Sequence, residues 1–128
     1  MATRIREKAQ ARIENKDTRP SAKVKYVRMS PSKVRIVLDT VRGKDVDTAV
    51  ALLENSTTSA AQVCLKLLNS AIANAEYKGL NRADLFVEEC YVGPGPTLKR
   101  LDIRARGRAN RLLKRSSHIT MILGNKVK

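Results

Sequence analysis

The sequence is poor in the side chains on which small catalytic and metal-binding proteins rely. Its 128 residues include no tryptophan, one phenylalanine, one histidine and two cysteines. A core without large aromatic rings must be built from aliphatic side chains and alanine. Cys64 and Cys90 lack the CxxC spacing of a zinc site, so the sequence predicts neither a metal nor a cofactor. Cys64 falls within an apolar helical stripe, where we expect a small buried side chain.

Targeting segments and catalytic constellations are also missing. The opening stretch MATRIREKAQ has no apolar segment of the kind that a signal peptide needs, and no apolar run approaches the length of a membrane span. We therefore expect a cytoplasmic protein with reduced thiols and no membrane contact. Catalysis needs a convergent acid, base or nucleophile. The acidic pair Glu88 and Glu89 is adjacent on a predicted strand and should point to opposite faces, so we expect no enzyme.

Positive charge is abundant and unevenly distributed. Lys and Arg number 26 against 12 for Asp and Glu, which gives a net charge of +14. Residues 1–28 carry nine cations and three anions, residues 29–97 carry seven and eight, and residues 98–128 carry ten and one. Charge spread evenly would favour solubility alone. Charge concentrated at both ends predicts a contact surface for a polyanion, most commonly nucleic acid.

Hydrophobic periodicity divides the chain into an arm and one domain. Residues 1–22 are polar and basic, and we interpret them as an N-terminal arm that is helical or disordered when alone. Residues 23–128 form a single domain. Within it, a short strand at 23–27 precedes three helices, whose predicted caps are Ser30, Asp45 and Ser56. Strands at 85–92 and 117–123 follow. This order predicts an α+β fold, with three helices packed on a small three-stranded antiparallel sheet.

The stretch TLKRLDIRARGRANRLLKRSS, Thr97 to Ser117, holds eight cations and one anion. A structureless loop of this length is uncommon inside a compact domain. We therefore predict a long projecting β-hairpin over about residues 93–116, with its tip near Leu101 to Arg104. A dozen residues in each arm would project roughly 35–40 Å. The preceding GPGP is interpreted as a bend rather than a phosphate cradle, because proline has no amide donor. A flexible basic segment is the alternative.

Three motifs together resemble one family. RMSPSKVRIVLDTVRGK, LLNSAIANAEYKGL and GPTLKRLDIRARGRANRLLKRSSHIT are similar to the bacterial large-subunit ribosomal protein family numbered twenty-two, over roughly Lys23 to Leu123. The resemblance implies a monomeric structural constituent of the large ribosomal subunit. It implies binding to large-subunit rRNA, contact with neighbouring ribosomal proteins, and a hairpin tip that lines the peptide exit tunnel beside the nascent peptide. Many relatives carry a proline near the tip, where this chain has LDIR.

The candidate site residues fall into two groups. The rRNA-binding group is expected to neutralise phosphates and add hydrogen bonds at the hairpin base. It comprises Lys23, Lys25, Arg28, Lys33, Lys99, Arg100, Arg104, Arg106, Arg108, Arg111, Lys114, Arg115, Ser117 and His118. The resemblance implies that the LKR motif belongs to the tunnel tip, for which the candidates are Leu98, Lys99, Arg100, Leu101, Asp102 and Ile103. A DNA-binding or architectural protein is the second class, because a basic ribbon can also enter a DNA groove.

Overall fold

The computed structural model describes residues 2–126. Within these residues, four α-helices and five β-strands follow one another. They are α1 Ala2–Glu14, β1 Ser21–Val27, α2 Pro31–Val41, α3 Val46–Glu54, α4 Ser59–Tyr77, β2 Leu85–Pro94, β3 Leu98–Ile103, β4 Ala109–Lys114 and β5 Ser117–Asn125. Short 3-10 turns lie at Arg82–Asp84 and Ala105–Gly107. The predicted α+β class is confirmed, with α1 as a helix beyond the three that the sequence assigned to the domain.

A three-stranded antiparallel sheet carries the globule. Its order is β1-β5-β2, so the last strand of the chain lies at the centre. Helix α4 packs against β1 and β5, while α2 and α3 pack against β2. The second sheet contains only β3 and β4. The chain thus combines a helix-covered sheet with a separate two-stranded ribbon, as the sequence predicts.

Aliphatic residues and alanine fill the core, as their abundance predicts. Helix α4 contributes the longest buried stripe, which consists of Ala60, Ala61, Cys64, Leu67, Leu68, Ala71, Ile72 and Ala75. Alanines on this face let the sheet approach the helix closely. Cys64 is fully buried within the stripe, as predicted, and burial raises the pKa of its thiol to about 11. Both cysteines are free and buried, and the predicted burial of Cys64 is confirmed.

A β-bulge interrupts the alternation of side chains along β2. The pairing of Val87 with Leu123 is followed directly by that of Glu89 with Ile122, so the strand carries one extra residue at this point. The bulge turns Cys90 towards the core beside Val87, and Tyr91 is left half-exposed. The prediction that Glu88 and Glu89 face opposite sides is therefore wrong, because the guanidinium of Arg19 contacts both carboxylates.

The N-terminal arm is tied to the globule just after α1. All described side chains of α1 from residue 3 onwards are exposed. Arg19 forms ion pairs with Asp17, Glu88 and Glu89 at 2.7, 2.9 and 2.8 Å, and Leu123 donates its backbone N–H to the carbonyl of Pro20 at 2.9 Å. Hydrogen bonding to Arg19 lowers the pKa of Asp17 to about 2. The contact of Arg19 with Glu89 was not predictable from the sequence, because the two residues are 70 positions apart.

Candidate nucleic-acid interface

The ribbon is an exposed antiparallel hairpin that stands outside the core. Six residue pairs join β3 to β4, from Leu98 opposite Lys114 to Ile103 opposite Ala109. Its strand residues are exposed throughout except Asp102, which is half-buried. At roughly 3.4 Å per residue, six pairs extend about 20 Å, which is shorter than the predicted projection. A two-stranded ribbon with no sheet or helix covering it is marginal in water, so its side chains require a partner surface.

The ribbon turns later in the chain than the sequence predicts. Arg104 donates its N–H to the carbonyl of Arg108 at 2.8 Å, and Arg106 and Gly107 between them adopt left-handed φ values of 57° and 70°. Three residues, 95–97, connect β2 to the outgoing arm, and two residues, 115 and 116, connect the returning arm to β5. The pairing register, with Leu98 opposite Lys114 and Ile103 opposite Ala109, centres the turn on Arg106. The predicted tip residues Leu98, Lys99, Arg100, Leu101, Asp102 and Ile103 are therefore the outgoing strand β3, with Leu98 at its base.

Asp102 has a structural role at the far end of the ribbon. Its carboxylate Oδ2 lies 2.8 Å from Nη2 of Arg104. The pair holds the first residue of the turn against the end of β3. No other ribbon cation has a carboxylate partner among the described residues. One anion thus organises the turn, and the remaining cations are left available for an external partner.

Exposed aliphatic side chains are interspersed with these cations. Leu101 and Ile103 are 72% and 84% exposed, and Leu98, Leu112 and Leu113 are exposed to a lesser degree. In an antiparallel pair, directly opposite residues share a face, so each face of the ribbon mixes cations with aliphatic groups. The ribbon can therefore contact both phosphates and apolar surfaces. Leu98, Leu101 and Ile103 were among the tunnel-tip candidates, whereas Leu112 and Leu113 were not predicted as contact residues.

Close packing fixes the base of the ribbon. Gly95 donates its N–H to the carbonyl of Ser116 at 2.8 Å, and the Ser116 hydroxyl donates to the carbonyl of Pro96 at 2.5 Å. A side chain at Gly95 would meet Ser116 Oγ at 2.6 Å and the His118 ring at 3.2 Å. Gly93 and Pro94 of the GPGP segment still belong to β2 and pair with His118 and Ser117, so the chain leaves the strand only at Gly95. This second glycine permits the close approach.

His118 joins the ribbon base to β1. Its Nδ1 accepts the backbone N–H of Tyr26 at 2.9 Å, and the two rings meet edge to face with centroids 4.8 Å apart. Tyr26 has a φ of 59° where the pairing of β1 with β5 is irregular. Since Nδ1 is occupied, His118 has Nε2 left for any external hydrogen bond. The prediction that Ser117 contacts RNA is corrected by the structure. Its side chain is fully buried and cannot contact RNA in this conformation.

The other predicted rRNA-binding residues all lie on the surface. The exposed set is Lys23, Lys25, Arg28, Lys33, Lys99, Arg100, Arg104, Arg106, Arg108, Arg111, Lys114 and Arg115. The fold brings four of them together, as described next, and distributes the others along β1 and the ribbon. Among residues 2–126 no group of three or more His, Cys, Asp or Glu side chains is arranged to hold a metal ion. None of the described helices is both long and apolar enough to span a membrane.

A groove of about 720 Å³ lies where β1, α2 and α4 meet the ribbon, and we call it the basic groove. The cations that line it are Arg28, Lys33, Lys114 and Arg115, and no acidic residue lines it. Arg28 reaches across, with Nη1 3.5 Å from the carbonyl oxygen of Lys114. The groove was not predictable from the sequence, because its four cations are spread over almost 90 residues and only the tertiary fold brings them together.

Comparison with known proteins places this architecture in a family. Residues 22–124 match the family model of ribosomal protein L22p/L17e. The chain is 53% identical over 116 residues to the large ribosomal subunit protein uL22 of Lachnoclostridium phytofermentans, covering 90% of this chain and 91% of that relative. It is 50% identical over 112 residues to the uL22 protein of Lachnospira eligens, covering 87% and 88%. It is 56% identical over 100 residues to the uL22 protein of Clostridium kluyveri, covering 77% of this chain and 90% of that relative. The chain therefore belongs to the ribosomal protein L22p/L17e family.

Proposed function

We propose that this protein is a structural constituent of the large ribosomal subunit that binds large-subunit rRNA through its basic surfaces and its ribbon. The observation that carries the proposal is the ribbon itself, six residue pairs that are exposed except at Asp102, with a single carboxylate and no covering layer among the described residues. Such an element is marginal on its own, and a polyanionic surface that neutralises its cations would stabilise it. Relatives of high identity are named large ribosomal subunit proteins. The same proposal includes a cytoplasmic location, as one copy among neighbouring ribosomal proteins.

The chain is a ribosomal protein by family, which is a structural class and not an enzyme. Recognition by charge and shape fits the composition better than a stacking platform, because aromatics make up 3% of the residues. Arginine predominates over lysine in the ribbon, and its planar fork suits bidentate contact with phosphate. Phosphate neutralisation along the ribbon and β1 is therefore the main expected source of affinity.

The ribbon's far end is the part that would line the peptide exit tunnel. The turn at residues 104–108 forms the end of the ribbon. Ile103 and Leu101 lie next to this turn and have exposed aliphatic side chains. A tunnel wall of mixed aliphatic and cationic character would meet a nascent peptide without binding it strongly. The residues Leu98, Lys99 and Arg100 would lie nearer the globule, where the wall begins.

A competition assay tests the rRNA proposal. The full-length protein is bound to a large-subunit rRNA transcript at physiological salt, and random duplex DNA of equal phosphate content is added. We expect the DNA to compete poorly, because the ribbon and globule together must match a folded RNA surface. Equal affinity for the duplex would instead favour a general DNA-binding protein.

Photo-crosslinking tests the tunnel proposal separately. A photoreactive amino acid replaces Arg106 at the turn in one variant and Tyr77, an exposed residue on α4, in the control. Both variants are incorporated into translating ribosomes with a labelled nascent chain. Crosslinks to the nascent peptide are expected from position 106 alone. Equal crosslinking from both positions, or none from position 106, would contradict a ribbon that lines the tunnel.

A further inference from the structure

The basic groove has a composition that neither charge neutralisation nor core packing explains. Its wall includes Ile36, which is 70% exposed although it lies in the middle of α2. The adjacent Val37 is buried and supports the helix, so Ile36 contributes little to folding. An exposed isoleucine that lines a concave surface beside four cations indicates a ligand with both apolar and anionic parts.

The cations of the groove are free to bind such a ligand. Among the described residues no carboxylate lies within salt-bridge distance of Arg28, Lys33, Lys114 or Arg115. Arg28 is positioned by its contact with the Lys114 carbonyl, which places a guanidinium at the junction of the globule and the ribbon. The concentration of positive charge on both walls is complementary to a chain of phosphates rather than to a neutral peptide.

Two helices also begin at the groove with no side-chain cap. The Ser30 hydroxyl pairs with that of Ser32 at 2.9 Å, and the Thr58 hydroxyl pairs with that of Ser56 at 3.0 Å. Neither the Ser30 nor the Thr58 hydroxyl accepts a hydrogen bond from the first N–H groups of its helix. These ends add partial positive charge to the same wall, as a contribution secondary to the four cations.

From these features we infer that the basic groove holds an unpaired RNA segment, with phosphates against the four cations and one unstacked base against Ile36 and Leu113. The volume of about 720 Å³ falls in the range of sites that enclose small ligands, and an unpaired nucleotide can enter it. A base within a duplex is stacked and paired, so it cannot reach the floor of a groove. The inference rests on the proposed function and specifies one part of its interface.

Two matched pairs of variants test the inference in the full-length protein with a large-subunit rRNA transcript. Ile36→Ser removes the apolar contact, and Leu52→Ser removes an exposed leucine from α3, outside the groove. Lys33→Gln removes a groove charge, and Arg35→Gln removes an exposed charge from the same helix that does not line the groove. Dissociation constants are measured at several salt concentrations, and thermal melting confirms that each variant folds.

Ile36→Ser should weaken binding about tenfold, because the variant loses the hydrophobic contact of a mostly buried isoleucine. The salt slope should stay unchanged, because that contact involves no charge. Leu52→Ser should change the affinity less than about twofold. Lys33→Gln should reduce the salt slope by about 0.7, as expected for one lost phosphate contact to a single strand, whereas Arg35→Gln leaves it unchanged.

Three other outcomes are distinguishable. If the wild type fails to bind the transcript, the proposed function itself is contradicted. If Lys33→Gln acts as expected but Ile36→Ser matches Leu52→Ser, the groove contacts phosphate without receiving a base, and the inference is overturned. If neither groove variant differs from its control while the wild type binds tightly, the groove faces something other than RNA, such as a neighbouring protein, which also overturns the inference.

Discussion

Gly95 sets how closely the chain can pass the base of the ribbon. Gly95→Ala would place a methyl group 2.6 Å from Ser116 Oγ, and the Ser116 hydroxyl is held by the carbonyl of Pro96. We expect a loss of about 1–3 kcal/mol in the free energy of unfolding, as for other overpacked sites. Denaturant titration with fitted midpoints measures it.

Gly93→Ala is the control, because nothing lies within 4 Å of the methyl group it would add. The double variant Gly95→Ala with Ser116→Ala should recover part of the loss, since the clashing oxygen is then absent. A Gly95→Ala variant as stable as Gly93→Ala would contradict the close approach.

Cys64 couples stability to alkaline pH. Burial raises the pKa of its thiol to about 11 from an ordinary value near 9. The thiol is therefore neutral in the folded state where the unfolded chain would already ionise it. The contribution of the neutral Cys64 thiol to the free energy of unfolding is complete below about pH 9. It is lost as the pH rises towards 11.

We expect Cys64→Ala to reduce this alkaline loss when unfolding is followed from pH 8 to 11. A thiol reagent at pH 8 should label neither cysteine before denaturation and both after it. Rapid labelling of the native protein would show that the α4 stripe is open to solvent.

Residue-level conformations were the least predictable feature. Nothing in the sequence around Tyr26 indicates a left-handed backbone, which the bulge in β1 and the bond to His118 impose. Ser117 was expected to add a hydrogen bond to rRNA at the hairpin base, but strand pairing on both sides buries it. Asp102 had no explanation from the sequence, whereas the structure pairs it with Arg104.

Among the elements, the helices of the globule were the most predictable. The start of α2 is marked by Ser30 followed by Pro31, and its end by Gly43 after the last apolar turn. Gly43 has the left-handed φ of 73° that a helix end favours. Helix α4 begins after Thr58 rather than at the predicted Ser56. The position of the ribbon's turn depends on the pairing register of β3 and β4, which the charge pattern does not encode, so the predicted turn lies too early in the chain.

The ribbon should be separable from the globule. Replacing Leu101–Arg111 by Asn-Gly joins Arg100 to Leu112, which are paired across the ribbon, through a two-residue turn that suits a hairpin. None of the removed residues belongs to the core. We expect a cooperative thermal transition with a midpoint within a few degrees of the wild type.

Circular dichroism at increasing temperature measures that transition. Leu38→Ala, in the core of α2, provides the contrast, because loss of a fully buried leucine costs about 2–5 kcal/mol. A ribbon-shortened protein that melts non-cooperatively would mean that the ribbon supports the fold.

At the scale of the whole molecule, charge and stability are separated. The helices and the sheet bury an aliphatic core, while the ends of the chain carry all of the excess positive charge. This division was predictable, since it follows from counting residues along the chain. The basic groove was not, since the fold assembles it from β1, two helices and the ribbon.

The salt dependence of rRNA binding tests the central claim that the ribbon binds by phosphate neutralisation. With about eight phosphate contacts, the affinity of the wild type should fall by roughly three to five decades between 50 and 200 mM salt. The ribbon-shortened protein lacks Arg104, Arg106, Arg108 and Arg111, so its slope of log affinity against log salt should be smaller by about three. A slope that the shortening leaves unchanged would contradict the account.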